Sequence, residues 1–263
     1  MSVSHLRFGP TETANRAFAL AFWPDARGAT PRSLAGMIAA RDPVIDAPGG
    51  MESVSIAARG FYAMEFLLFD DRITAMEGAD YRCALIRAAA ADIAATARAI
   101  ADDWHDRYAD VLLTAGANDV YRTEAEALQE LYKALSTGLE FTADVRLARP
   151  LGTFAQPRPN RAEAWRSARS LRHVTLSLTA LRDLARRLAG GRPAVTGALM
   201  AAFDAAQDAA DLDDPAFAGV ADPISRLRVE VLKQSVDHVR DVAAADLGPA
   251  LGVATGFNAL DGD

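Results

Sequence analysis

Leu171, Val174, Leu178, Leu181, Ala185 and Leu188 follow one another at alternating steps of three and four residues. A helix turns once in about 3.6 residues, so this spacing lines one face with apolar side chains that must be buried against other helices. Strand-type alternation is almost absent from the rest of the chain. Hydrophobic residues make up 51% of 263 while aromatics are only 7%, so the apolar share leans on alanine, the strongest helix former. The fold class these features predict is all-α, in two bundle-like halves with a full core.

Helix signals recur in order. Residues 11–22 read as a short helix stopped by Trp23-Pro24-Asp25. Thr30-Pro31 reads as an N-cap followed by proline at the first helical position, opening a helix to about residue 40. Breaks at Asp42-Pro43 and Pro48-Gly49-Gly50 precede a central helix over 51–70, and a long one over 77–108 follows. Thr123 and Glu126 have capping-box spacing and open a helix to about residue 145. The stretch from Arg149-Pro150 to Pro157-Arg158-Pro159 is the most hostile to helix. It predicts a linker over 149–159 between an N-terminal bundle, 1–148, and a C-terminal bundle, 160–263. Asn160 and Glu163 repeat the capping-box spacing at the head of a helix over 160–189, which Gly190-Gly191 ends. A helix over 193–210 and another from Asp222-Pro223 to about 245 complete the series.

Net charge and a few absences remove whole classes of function. At net charge −7 and pI near 5.2, the chain is not built to neutralise phosphates on nucleic acid. One cysteine, Cys83, excludes an internal disulfide and a cysteine-based zinc cluster, and its alanine-rich surroundings predict a core position. His5, His105, His173 and His238 never pair at zincin spacing. No unbroken apolar run reaches the roughly 18 residues of a membrane span, and the first residues lack the apolar core of a signal peptide. The arginines around Arg186-Arg187 and Arg226-Arg228 are interspersed with acids and read as solvated helix faces.

Three places carry candidate chemistry. Gly60-Phe61-Tyr62-Ala63-Met64-Glu65-Phe66-Leu67-Leu68-Phe69 is apolar almost throughout, with a glutamate in its middle. Desolvating a carboxylate is costly, so Glu65 either finds a cation, donor or proton in the interior or reaches solvent at a helix end. Arg166, Ser170, His173 and Ser177 form a second stripe beside the apolar one on the expected 160–189 helix. It is open to two readings, a solvated face or the positively charged lining of a groove, where an arginine fork holds a carboxylate or an anionic ligand. The C-terminal Phe257-Asn258-Ala259-Leu260-Asp261-Gly262-Asp263 mixes apolar residues with carboxylates and is expected to dock, delivering Asp261. Its Asp-Gly-Asp resembles calcium-loop chemistry only weakly.

Together these stretches resemble the imelysin-like family, the iron-regulated or insulin-cleaving-peptidase-like proteins. Residues 60–69 match the family's GxHxxE helix in a GFxAxExLLF form. Ala162-Glu163-Ala164-Trp165-Arg166-Ser167 to Leu171 match its AEAWRS-x-x-SL helix, and Leu251-Gly252-Val253 to Asp263 match its ending. Phe8-Gly9-Pro10 and Phe22-Trp23-Pro24-Asp25 resemble the stretch before the first motif. The resemblance implies two four-helix-bundle-like halves with a ligand cleft between them. It also implies an exported protein of the periplasm or cell envelope, at most peripheral to the membrane, tied to iron or metal uptake and to envelope transport components. Its site candidates are Glu65, Tyr62, Arg166, Ser170 and Asp261, for iron, another divalent or trivalent metal, or a small ligand.

Two departures qualify that expectation. Tyr62 stands where GxHxxE has histidine. A phenol must lose a proton near pKa 10 to bind a metal, so the change disfavours zinc more than ferric iron. Relatives carry a leader and further helices before the Phe8-Gly9-Pro10 stretch, so the N-terminal bundle is expected to lack its first helices and to expose apolar surface near 11–40. The expected function is therefore a non-catalytic binding protein, with a metal-dependent peptidase and a structural interaction module as rivals.

Overall fold

The computed structural model describes residues 8–253. Among these no strand occurs beyond an isolated bridge between Thr153 and Gln156, and the architecture is all-α. The chain divides into two compact units, one over Arg7–Ala109 and one containing Asp110–Asp263.

The first unit is built on α1 (Ala29–Ala40), α2 (Gly60–Phe69) and α3 (Ala79–Asp103). Leu34 and Ile38 from α1, Ala63 and Leu67 from α2, and Leu85 and Ala89 from α3 form its core. The start of α1 is held from outside, since the Asp25 carboxylate accepts from the backbone N–H of Ala29 (2.9 Å) and Thr30 (2.8 Å). Thr30 therefore lies inside the helix and is not its cap. The expected 51–70 helix is shorter than its sequence suggests. Residues 50–53 and 56–58 are separate 3-10 turns, and α2 begins at Gly60 with φ +76°. Arg59, just before it, makes a two-pronged ion pair to the buried Asp92 of α3, Nε to Oδ2 at 3.0 Å and Nη2 to Oδ1 at 2.7 Å. Cys83 falls on the outer side of α3 and is exposed, not packed in the core as expected. Among the described residues, the exposed large apolar side chains do not lie in 11–40 but include Phe61, Leu68 and Phe69 on α2.

The second unit holds α4 (Glu124–Glu140), α5 (Ser170–Leu188), α6 (Pro193–Ala209) and α7 (Pro223–Val242). The apolar stripe of α5 is buried as its spacing predicts, against Leu135 and Leu139 of α4, Leu199 and Phe203 of α6, and Val229, Leu232 and Val236 of α7. This shared core corrects the expected boundary. Helix α4 packs with α5 and α7, so the break falls near Ala109 and residues 149–159 lie inside the second unit. That helix-hostile segment is tied down by Arg226, whose Nη1 donates to Leu151 O at 2.7 Å. Arg226 is thus buried, not on a solvated face.

The capping predictions at α4 and α7 hold. Asp222 Oδ1 accepts from the N–H of Ile224 and Ser225. Thr123 Oγ1 accepts from the N–H of Glu126 at 3.2 Å, while the Glu126 carboxylate reaches back to the N–H of Arg122 at 2.6 Å. Replacing Thr123 with Ala orphans a helix N-terminus, and a loss of about 1 kcal/mol in urea unfolding is expected. No change in midpoint would show that the Glu126 arm alone holds the helix start. Downstream of α4 the helix widens into a π-type turn over Phe141–Leu147 before Ala148–Leu151.

Candidate functional site

On α2 the burial does not follow polarity alone: Ala63 and Leu67 are in the core, but so are a phenol and a carboxylate, while large apolar side chains are exposed. Phe61 and Leu68, seven residues apart on one side, are exposed, and Phe69 at the end is 52% exposed. Tyr62 and Glu65, three residues apart and so neighbours on the helix surface, are turned inward at 5% and 8% exposure. The alternative in which Glu65 reaches solvent is therefore not the one adopted. The Tyr62 ring stacks against the indole of Trp23, with centroids 6.1 Å and planes 30° apart. The inward set of α2 can present a carboxylate and a phenol side by side.

The second unit contains a denser polar cluster. Glu163 and Arg146, both 1% exposed, form an ion pair in which Arg146 Nε donates to Glu163 Oε2 in a very short contact, and Nη2 lies 3.4 Å from Oε1. Arg146 Nη1 donates to Ser177 Oγ at 2.6 Å, and its guanidinium sits 5.2 Å from the centroid of the Phe141 ring. His173 Nδ1 lies 3.1 Å from Glu163 Oε2. Burial pushes the Glu163 carboxyl up, but the Arg146 charge and the hydrogen bonds from His173 and Arg146 outweigh it and hold the group well below the usual carboxylate range.

Glu163 reaches this position because residues 162–169 are not helical, which corrects the expected 160–189 helix. Ala164 (φ +50°) and Ala168 (φ +52°) both take the left-handed conformation. The loop closes on itself through Arg169 N–H to Ala164 O (3.1 Å), Ala168 N–H to Trp165 O (3.2 Å) and Ser167 Oγ to Ala164 O (3.1 Å). The Asn160 capping box is accordingly not formed, and α5 starts at Ser170 with no side-chain cap. Arg166 sits on the loop, half-buried, with its guanidinium 4.5 Å from the Trp165 ring centroid. Ser170, His173 and Ser177 are buried on α5, so the polar stripe is not a solvated face.

Of the expected site residues, Tyr62 and Glu65 belong to the first unit, Arg166 and Ser170 to the second, and Asp261 lies outside the described residues. Among the described residues no three His, Cys, Asp or Glu side chains gather as a metal centre. Tyr62 and Glu65 alone do not close a coordination shell. Arg146 escaped sequence reasoning, although a charge set among the regularly spaced Leu139, Ala143 and Leu147 was visible. Glu163 was visible only as part of a motif.

An imelysin family model matches residues 1–243. No protein of curated function matches the chain. Among solved structures, an imelysin-like protein from Psychrobacter arcticum 273-4 is similar in fold, with a TM-score of 0.78 at 17% sequence identity. The alignment covers 97% of this chain and 78% of that one.

Proposed function

The chain belongs to the imelysin family, and from that premise we propose a non-catalytic binding protein of metal acquisition, working in the cell envelope. One observation carries the reading, the burial on α2, where Tyr62 and Glu65 are taken inward beside Ala63 and Leu67 while Phe61, Leu68 and Phe69 are left in solvent. Burying the acid and exposing the aromatics costs stability on both counts. Such a departure from the rules of packing is expected where a side chain serves a ligand. A carboxylate and a phenol are hard oxygen donors, suited to a ferric ion or another highly charged cation. The envelope location and the link to iron uptake rest on the family resemblance.

The peptidase in the family's description needs a metal-activated water held by three protein ligands. Tyr62 at the position of the motif histidine removes the best zinc donor from α2, which favours binding over hydrolysis. The test is elemental analysis followed by calorimetric titration with ferric, ferrous, zinc and calcium ions. Wild-type protein should bind one ferric ion, and Glu65→Gln should weaken it about 100-fold, near 2.7 kcal/mol. Equal affinity in the two proteins would remove Glu65 from the site, and chelator-sensitive cleavage of an unfolded polypeptide would restore the peptidase.

A further inference from the structure

We propose that the outer face of α7 and the turn at Phe154 form the contact by which two copies of this chain pair about a twofold axis. The inference goes beyond the binding reading and does not depend on it.

Helix α7 carries two apolar stripes where a surface helix needs one. Val229, Leu232, Val236 and Val239 face the core of the second unit. On the opposite side Ile224, Leu227 and Val231 follow at steps of three and four, and all three are exposed. A surface helix ordinarily keeps its outer side polar. The second half of α7 does so, with Gln234 and His238 exposed at the next steps. The apolar surplus is therefore confined to the first half.

Phe154 stands beside that half. Thr153 and Gln156 close the turn beneath it by exchanging backbone hydrogen bonds at 3.3 and 3.1 Å. Arg226, the residue before Leu227, ties the turn to α7, with Nη1 on Leu151 O and its guanidinium 5.7 Å from the Phe154 ring centroid. An aromatic side chain on so fixed a backbone loses little freedom when it is covered, and such rings anchor protein interfaces.

The area suits a dimer. Phe154, Ile224, Leu227 and Val231 are 45–80% exposed, which leaves on the order of 400 Å² of apolar surface in water on each chain. A patch of that size marks an interaction surface. Twofold pairing buries it from both copies, and with a polar rim the contact reaches the roughly 1,200 Å² at which specific interfaces begin.

Charge and symmetry select a second copy over a lipid surface. Asp213 and Asp222 are exposed around the patch together with Arg228, which lies 3.9 Å from Asp213. In a chain of net charge −7 these acids oppose anionic headgroups. Arg228 brings its own countercharge when a like surface approaches. The stripe also complements itself. With two α7 helices antiparallel about Leu227, Ile224 of one copy meets Val231 of the other, and Gln234 and His238 stay at or beyond the rim. A parallel pairing would draw those polar side chains into the contact.

Sedimentation equilibrium of the full chain tests the pairing. Wild-type protein should form a dimer with a Kd on the order of micromolar. Leu227→Glu and Phe154→Ala should each weaken it by about 10-fold or more, with circular dichroism unchanged because both side chains lie in solvent in the single chain. Leu113→Glu, at an exposed leucine elsewhere in the same unit, should leave the dimer intact. A protein that stays monomeric at about 100 µM overturns the inference, as does a dimer that neither Leu227→Glu nor Phe154→Ala weakens. Flotation with phosphatidylglycerol vesicles reads the other occupant. Vesicle binding by a monomeric wild type, lost in Leu227→Glu, would assign the patch to a membrane and overturn the pairing.

Discussion

Removing the Glu163 charge should destabilise the second unit by about 3–5 kcal/mol, because Arg146 would be left buried and unpaired. In Glu163→Gln the amide keeps the shape, so the loss reports charge and not packing. For a chain of this size each kcal/mol corresponds to roughly 2–4 °C, so a fall in Tm of about 6–20 °C is expected by calorimetry. Arg146→Met should do equal damage by leaving the carboxylate alone. The double variant Arg146→Met/Glu163→Leu should recover most of the loss, since apolar replacement of a whole buried pair is often neutral. A fall of under 2 °C in Glu163→Gln would mean that Ser177 and the Phe141 ring satisfy Arg146 without it.

The pair also sets an acid limit. The folded Glu163 carboxyl is held below its unfolded value of 4.5. Its contribution is therefore complete above that value and lost as pH falls from there toward the folded pKa. Wild-type protein should lose stability steeply below about pH 4.5, and the curve of Glu163→Gln should be flatter over the same range. Parallel curves would place the acid sensitivity elsewhere.

Gly60→Ala should be among the most damaging single changes in the first unit. A Cβ at this position would lie 2.4 Å from the carbonyl oxygens of both Ala19 and Leu20, and the backbone there has φ +76°. The substitution meets fixed main chain and a disfavoured conformation together, so a loss of more than about 3 kcal/mol is expected. Gly49→Ala separates these causes. It shares a positive φ of +70° but has open space around it, so it should lose only about 1 kcal/mol. If the two variants unfold at the same urea concentration, Ala19 and Leu20 yield and the close approach does not anchor α2.

The sequence resolved what periodicity and caps encode. The apolar steps from Leu171 to Leu188 and the oxygen donors at Thr123 and Asp222 each produced the element they predict, because these signals act within a turn of helix. The loop 162–169 was hidden because alanine carries no sign that it will be left-handed. Ala164 and Ala168 are helix formers overruled by a partner, Arg146, in another element. The boundary between units was misplaced for a similar reason. Proline and glycine at 149–159 announce a break in helix, yet not whether the chain leaves the core there, and Arg226 keeps it in. At α2 the composition revealed an acid among apolar residues but not which side would turn inward.

The widened turn at Phe141–Leu147 has its own arithmetic. Leu135, Leu139, Ala143, Leu147 and Leu151 are all buried, each four residues after the last. In an ordinary helix a step of four overshoots a full turn by about 40°, so four such steps would carry the last side chain some 160° around the axis. The wide turn absorbs the surplus and returns Leu151 to the core. A run of unbroken fours is thus the written form of an inserted residue. In a relative that lacks the bulge, the matching run should contain a three, and a one-residue gap placed there would leave every position on both sides in phase.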